Sequence, residues 1–272
     1  MAADRLAQAV RQQLGLGRLL PLGDAADGAW LAETAAVATL RDAAAGALPE
    51  VRLGTLRISL ADPDGAAPPA VPAPPSALRP GPLHLDADFA TSADAPLPTV
   101  GDRLRGVLLT AADKELGLRV AAADLRVTDL LDGLDGPGSP GSGAGGPGAR
   151  RHRTDERPPA PADSPRGIAT AEAVLAVPGV ARLAPALGWA RGGAAGDGAE
   201  AVSVTETRQG AEEGRHVQIQ IAVTQGSRAL DVARAVRHAA TKAAAWDAVE
   251  PAGPVTVAVL VSAIDPPPET SY

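Results

Sequence analysis

Residues 216–265, HVQIQIAVTQGSRALDVARAVRHAATKAAAWDAVEPAGPVTVAVLVSAID, read as strand, helix and strand. Val217, Ile219, Ile221 and Val223 alternate with Gln218, Gln220 and Ala222, the period of an extended chain with one apolar face. Gly226 and Ser227 turn the chain into a long helix spanning 228–249. Residues 255–264 are apolar at every position from Val257 to Val261. A strand apolar on both faces belongs in the middle of a sheet or beneath a cover, and the connecting helix predicts that it runs parallel to the strand before it.

The same unit occurs earlier, over residues 83–130. Aligning Val232 with Val100 places Val236 on Leu104 and Arg237 on Arg105; with two residues of slip, Val261 and Ile264 fall on Val127 and Leu130. In this copy Leu83, Leu85, Ala87 and Phe89 alternate with His84, Asp86 and Asp88, giving one apolar and one acidic face. Thr99 followed by Asp102 suggests the start of a helix striped by Val100, Leu104, Val107, Leu108 and Ala111 and closed by Gly117. The fold class is therefore α+β, with two tandem repeats of a small helix-strand-strand-helix-strand unit. The expected organisation is an N-terminal repeat over 1–131, a linker over 132–167 and a C-terminal repeat over 168–272. Duplication further predicts that the two copies pack against each other with pseudo-twofold symmetry.

The rest of the N-terminal repeat follows from local pattern. Residues 3–14 have Leu6, Val10 and Leu14 on one helical face, with Gly15 as the stop, and are followed by the broken apolar stretch LGRLLPLG. The N-terminal helix is expected to dock on its own domain, since its polar face mixes glutamine, arginine and Asp4 and lacks the basic character of a membrane-surface helix. Residues 30–47 are alanine-rich with helical spacing, Pro49 ends them, and residues 51–60 alternate as a half-buried strand. A proline-rich loop over about 62–82 cannot enter a sheet interior and acts as a stiff spacer. In the C-terminal repeat, residues 168–180 form a short helix ending in Val177-Pro178-Gly179-Val180, and residues 201–208 form the first strand.

Composition limits the chemistry. The 272 residues contain no cysteine, which removes disulfides, thiol nucleophiles and thiolate metal sites and suits a reducing cytoplasm. A net charge of −7 opposes phosphate backbones at long range, and the aromatic residues are only Trp30, Phe89, Trp189, Trp246 and Tyr272. With only two lysines among the basic residues, Lys114 and Lys242, the composition carries the bias of a GC-rich bacterial genome. No stretch of about 18 apolar residues occurs, and the N-terminus lacks a signal-peptide pattern, so a soluble cytoplasmic chain without direct membrane insertion is expected.

No constellation in the chain carries a reaction. His84, His152, His216 and His238 have no metal-ligand spacing, and neither a GxSxG serine nor a phosphate-loop lysine is present. His216 at a strand start and His238 on a helix face read as polar surface residues. Gly141, Gly143 and Gly146 match a dinucleotide fingerprint by accident, because no strand precedes them and Pro147 follows. The basic cluster at Arg150, Arg151, His152 and Arg153 is offset by Asp155 and Glu156 and has no aromatic residue to stack on bases. An enzyme reading would need a pocket gathering carboxylates such as Asp86, Asp88, Asp124 and Asp129; on an alternating strand Asp86 and Asp88 read as a solvated face. No catalytic, cofactor-binding or metal residue is assigned and no cofactor is expected.

The second copy resembles the alkaline shock protein, or envelope stress response, family of bacteria. The residues that carry the resemblance are AVPGVARL at 176–183, the strand, turn and helix of 217–239 with Val232, Val236 and Arg237, and the closing strand 255–265. Thr224-Gln225-Gly226 departs from the Tyr-Gly common in that family, and Leu48-Pro49-Glu50-Val51 in the first copy lacks its glycine. The tandem form is similar to actinobacterial chains carrying a nucleopolyhedrovirus p-ten family label. The resemblance implies a non-enzymatic cytoplasmic scaffold, self-associating and held at the inner face of the membrane by a small anchor protein. The alternative is a nucleic-acid-binding module of small α+β type, which the acidic balance and scarce aromatics oppose.

Overall fold

The computed structural model describes residues 16–131, 165–184, 202–209, 212–245 and 255–267. The described chain forms two sheets and four α-helices. In the first repeat, α1 (Glu33–Ala47) leads into β3 (Val51–Leu60), β4 (Leu83–Ser92), α2 (Leu97–Ala111) and β5 (Val120–Leu131). In the second, α3 (Pro165–Leu175) leads into β6 (Val180–Leu183), β7 (Val202–Gln209), β8 (Glu212–Thr224), α4 (Ala229–Ala245) and β9 (Val255–Asp265). Ahead of both stands a hairpin of β1 (Leu19–Leu22) and β2 (Ala29–Ala32).

The expected duplication is present in register as well as in order. β4 pairs antiparallel with β3 and parallel with β5, and β8 pairs antiparallel with β7 and parallel with β9. Ala87 opposes Leu125 as Ile219 opposes Val259, and both parallel ladders slip at the next step, after Phe89 in one and after Ile221 in the other. Val100 and Leu104 on α2 are buried, as are Val232 and Val236 on α4.

The repeats differ at their antiparallel edge. β3 is one strand with a register shift between Leu53 and Leu56. At the same place the second repeat is interrupted: β9 covers one side of β8, so β6 and β7 share the other, β6 on Ile221–Val223 and β7 on Glu212–Ile219. The sequence VPGVARL therefore supplies a strand, β6, as well as the end of a helix. Gly179 turns the chain there at φ +89.

One N-terminal expectation is corrected. Residues 30–32 are strand and α1 begins only at Glu33, because Ala29–Leu31 pair parallel with Val259–Val261. A ladder to a strand some 230 residues away overrides the helical preference of the local alanines. The broken apolar stretch at 16–23 contains β1, antiparallel to β2 and at the edge of the sheet, where Pro21 has no missing ladder bond to offset. The expected helix over 3–14 lies outside the described residues, as does the chain from 132 to 164. A smaller correction concerns α2, which starts at Leu97 with Pro98 in its first turn and has no Thr99 side-chain cap; proline's fixed φ already suits that position.

The hairpin makes one sheet of order β1-β2-β9-β8-β6, with β7 also on β8, and leaves β3-β4-β5 as the other. β9 is thus interior, and Val257–Val261 are all buried, as their two-faced apolar pattern predicts. The copies pack together, but the connection runs one way: among the described residues no strand returns from the second repeat to β5.

Side chains of α4 fasten the same contact. Leu230 is buried against two glycines, Gly23 in the hairpin turn at φ +78 and Gly117 in the first repeat at φ +80. A Cβ on Gly23 would stand 2.7 Å from Leu230 Cδ1, and one on Gly117 would stand 2.4 Å from Leu230 Cβ. Arg234 donates two hydrogen bonds to Asp27, at 2.8 and 2.9 Å, and Arg237 donates to the Ala26 carbonyl. Arg228 reaches the carbonyl and carboxylate of Asp113.

Gly117→Ala combines a left-handed backbone with a clash against Leu230, and we expect it to destabilise the chain by about 1–3 kcal/mol or more. Gly46→Ala, in a helix with nothing within 4 Å of the added carbon, should stabilise it by about 0.5–1 kcal/mol. Denaturant midpoints moving in opposite directions check the pair.

Candidate functional site

The polar face of the β3-β4-β5 sheet brings together His84, Asp86, Asp88, Asp124 and Arg126. Alternation on β4 turns Leu83, Leu85, Ala87 and Phe89 into the core and leaves His84, Asp86 and Asp88 on the other side. The parallel register then sets Asp86 opposite Asp124 and Asp88 opposite Arg126. Facing aspartates repel across a ladder, and His84 lies between them, its Nε2 3.3 Å from Asp86 and 3.2 Å from Asp124. Arg126 Nε donates to Asp88 at 3.0 Å. Asp86, Asp88, Asp124 and Arg126, with Thr55 and Arg57 from β3, line a shallow cleft of about 400 Å³.

Three of the four aspartates named from the sequence therefore meet at one place; Asp129 lies past the register shift, opposite Ala90. His84, Asp86 and Asp124 each present one donor atom, all within 4.8 Å of one another, and are the residues that could hold a divalent cation. Asp86 and Asp124 side chains are 56% and 77% exposed, and each has a cationic or histidine neighbour that accounts for its position. The expected solvated face is what the structure shows for Asp86. Sequence reading missed the His84–Asp124 contact, because it depends on the register of β5 against β4, which neither strand carries on its own.

Beside this face lies the outer edge of β5. Among the described residues β5 pairs only with β4, whereas its counterpart β9 is paired on both sides. Val127 and Leu130 are 36% and 49% exposed at that edge. Arg105 Nε donates to the Ala123 carbonyl and Asp129 accepts from the Leu130 N–H, so the edge between them, 124–128, is the part where no described side chain guards the backbone. A strand with unpaired backbone groups and half-covered apolar side chains is a template for another strand. On the helical side, α1 and α2 leave a separate groove of about 560 Å³ lined by Ala43, Ala47, Gly106 and Val107, with Arg103 and Glu115 at its rim.

The opposite edge of the same sheet is guarded. Arg18 and Glu33 form an ion pair at 3.0 Å; Arg18 donates to the Ile58 carbonyl and Glu33 accepts from the Ile58 N–H, so two side chains stand where a further strand would pair with β3. Burial pushes the Glu33 carboxyl up, but the hydrogen bond and charge of Arg18 outweigh it and hold the group below its ordinary range. Asp27 behaves likewise: burial raises it, and Arg234 holds it low.

His216 is not the surface residue its place at a strand start suggested. It is 3% exposed, its Nδ1 is 2.9 Å from Thr256 Oγ1, and its Nε2 has no hydrogen-bond partner. His238 is exposed on α4 as expected. His152, Arg150, Arg151, Arg153 and the glycines Gly141, Gly143 and Gly146 lie outside the described residues. No helix among the described residues is long and apolar enough to cross a membrane. No family model, curated protein or solved structure matches the chain.

Burial lowers the His216 pKa below its ordinary 6.5, so the unfolded chain takes up this proton before the folded chain does. Stability is expected to fall as pH drops from about 6.5 towards the folded value, well before Glu33 and Asp27, whose contributions are lost only below their ordinary 4.5 and 3.8. Denaturation midpoints across pH 7 to 5 should slope for the wild type and flatten for His216→Gln.

Proposed function

We propose that the chain is a non-enzymatic scaffold that assembles by strand addition at the open edge of β5 and is recruited by a protein partner at the cytoplasmic face of the membrane. The observation that carries this reading is internal to the fold. In the second repeat the outer edge of the last strand accepts a strand, β2 on β9; in the first repeat the equivalent edge has no partner strand among the described residues and is flanked by exposed Val127 and Leu130. The resemblance of the second repeat to alkaline shock proteins supports a place in the envelope stress response, with a small membrane protein as the anchor. The net charge of −7 weighs against a nucleic-acid partner.

The test is an affinity capture from cross-linked cells of the native host, with membrane and soluble fractions separated, comparing the wild type with Val127→Lys/Leu130→Lys. Lysines on an edge oppose strand addition, and both side chains are already exposed. We expect a small membrane protein to co-purify with the wild type and recovery of the assembled complex to drop at least severalfold with the variant. Capture of nuclease-sensitive material alone, unchanged by the variant, would contradict the scaffold reading.

A further inference from the structure

The pattern of β5 is symmetric about Leu125. The ladder with β4 turns Val120, Ala123, Leu125, Val127 and Leu130 to the core side, opposite Leu83, Leu85, Ala87, Phe89 and Thr91, all of them buried. These five β5 positions fall at Leu125 itself and two and five residues to either side. The two register shifts, between Leu83 and His84 and between Phe89 and Ala90, make the spacing symmetric. On the other face the positions next to Leu125 are Asp124 and Arg126, of opposite charge and each 77% exposed.

We propose that β5 pairs antiparallel with β5 of a second copy, across a twofold axis through Leu125, joining the two three-stranded sheets into one of six. In that register Leu125 meets Leu125, Val127 meets Ala123 and Leu130 meets Val120, so the core side is apolar along its length. Asp124 meets Arg126 of the other copy, twice. Each charge has a reason to accept the new partner. Asp124 stands abreast of Asp86 and its described ion pair is with His84 alone. Arg126 uses Nε towards Asp88, and no described hydrogen bond takes its Nη atoms. A twofold axis normal to the sheet keeps the helices of both copies on one side, so the apolar face of β5 continues into an apolar face. The Arg105 bond to the Ala123 carbonyl leaves that oxygen a second lone pair for the Val127 N–H of the other copy. The linker at 132–167, the nearest stretch of this chain in sequence, has no alternating apolar residues to fill the core side. This inference rests on the reading of the β5 edge as an interaction site and names its occupant.

The test uses the full chain in sedimentation equilibrium. The wild type should sediment at twice its 27.2 kDa. Arg126→Glu and Asp124→Arg should each be monomeric alone, since each sets like charges in both pairs, and an equimolar mixture of the two should recover the dimer. Because the chain has no cysteine, Leu125→Cys provides a second route that does not depend on charge. Equivalent residues abreast in an antiparallel pair are within disulfide reach, so mild oxidation of that variant should give a dimer cross-linked at position 125, while Thr55→Cys on β3 should not cross-link. A monomeric wild type, a mixture that stays monomeric, or equal cross-linking at 125 and 55 overturns the proposal. If the wild type is monomeric while Val127→Lys/Leu130→Lys still abolishes partner capture in cells, the second copy is wrong and the interaction edge stands; if neither assay responds to the edge, both readings fall.

Discussion

The parallel ladder between β2 and β9 is the contact on which the rest of this structure depends. It is short, three residue pairs, but it changes what the second repeat is: β9 becomes an interior strand, and the apolar residues on both its faces are covered. Val259 donates to the Gly28 carbonyl at 3.0 Å, tying the turn before β2 to the same strand. Trp30, the bulkiest side chain of the hairpin, is 1% exposed opposite Leu260, with its indole N–H directed at the Leu78 carbonyl in the proline-rich loop. That loop is therefore part of the packing, and it also bridges to β1 at Ala77. Once the hairpin is placed, α4 must pass over it, and Leu230, Arg234 and Arg237 find their partners in the turns at either side.

The two repeats thus use one unit in two ways. Both have a last strand parallel to its neighbour, shifted in register at the same point. One of these strands has been given a partner from within the chain and is apolar on both faces from Val257 to Val261. The other keeps Asp124 and Arg126 on its outer face and has exposed apolar residues on the inner one. An edge that were simply neglected would be an aggregation hazard. The β3 edge shows that this sheet can be guarded, since Arg18 and Glu33 occupy the Ile58 backbone groups there. The contrast between a guarded β3 and a β5 edge that no described strand covers gives the interaction reading its weight.

Much of this was legible in the chain itself. Alternation on β4 and β8, the stripes of α2 and α4, the two-faced apolar β9 and the duplication are local or periodic signals, and each appears in place. What was not legible was non-local. Residues 30–32 carry the composition of the helix that follows them, and only a pairing with β9 makes them strand. Pro21 marked its stretch as broken, yet at an edge it is tolerated. The split of one edge strand into β6 and β7 needed the equivalence of LPEVRL and VPGVARL to be read as strand beginnings. Asp86 lies on a solvated face as its alternation implied, whereas Asp88 is half-buried against Arg126, and the meeting of His84 with Asp124 depends on a parallel register that no single strand encodes. His216 is buried because β9 and β7 flank its strand, a fact of sheet order.

The most direct test of the account is amide hydrogen exchange at Val259, read by NMR in the intact chain. If β2 completes the sheet, the Val259 N–H is bonded to Gly28 and should exchange only through global unfolding, as slowly as the central amides of β8. Exchange of Val259 at the rate of an exposed edge, with β8 still protected, would show that the hairpin does not pair there and would remove the constraint from which the rest of the structure has been derived.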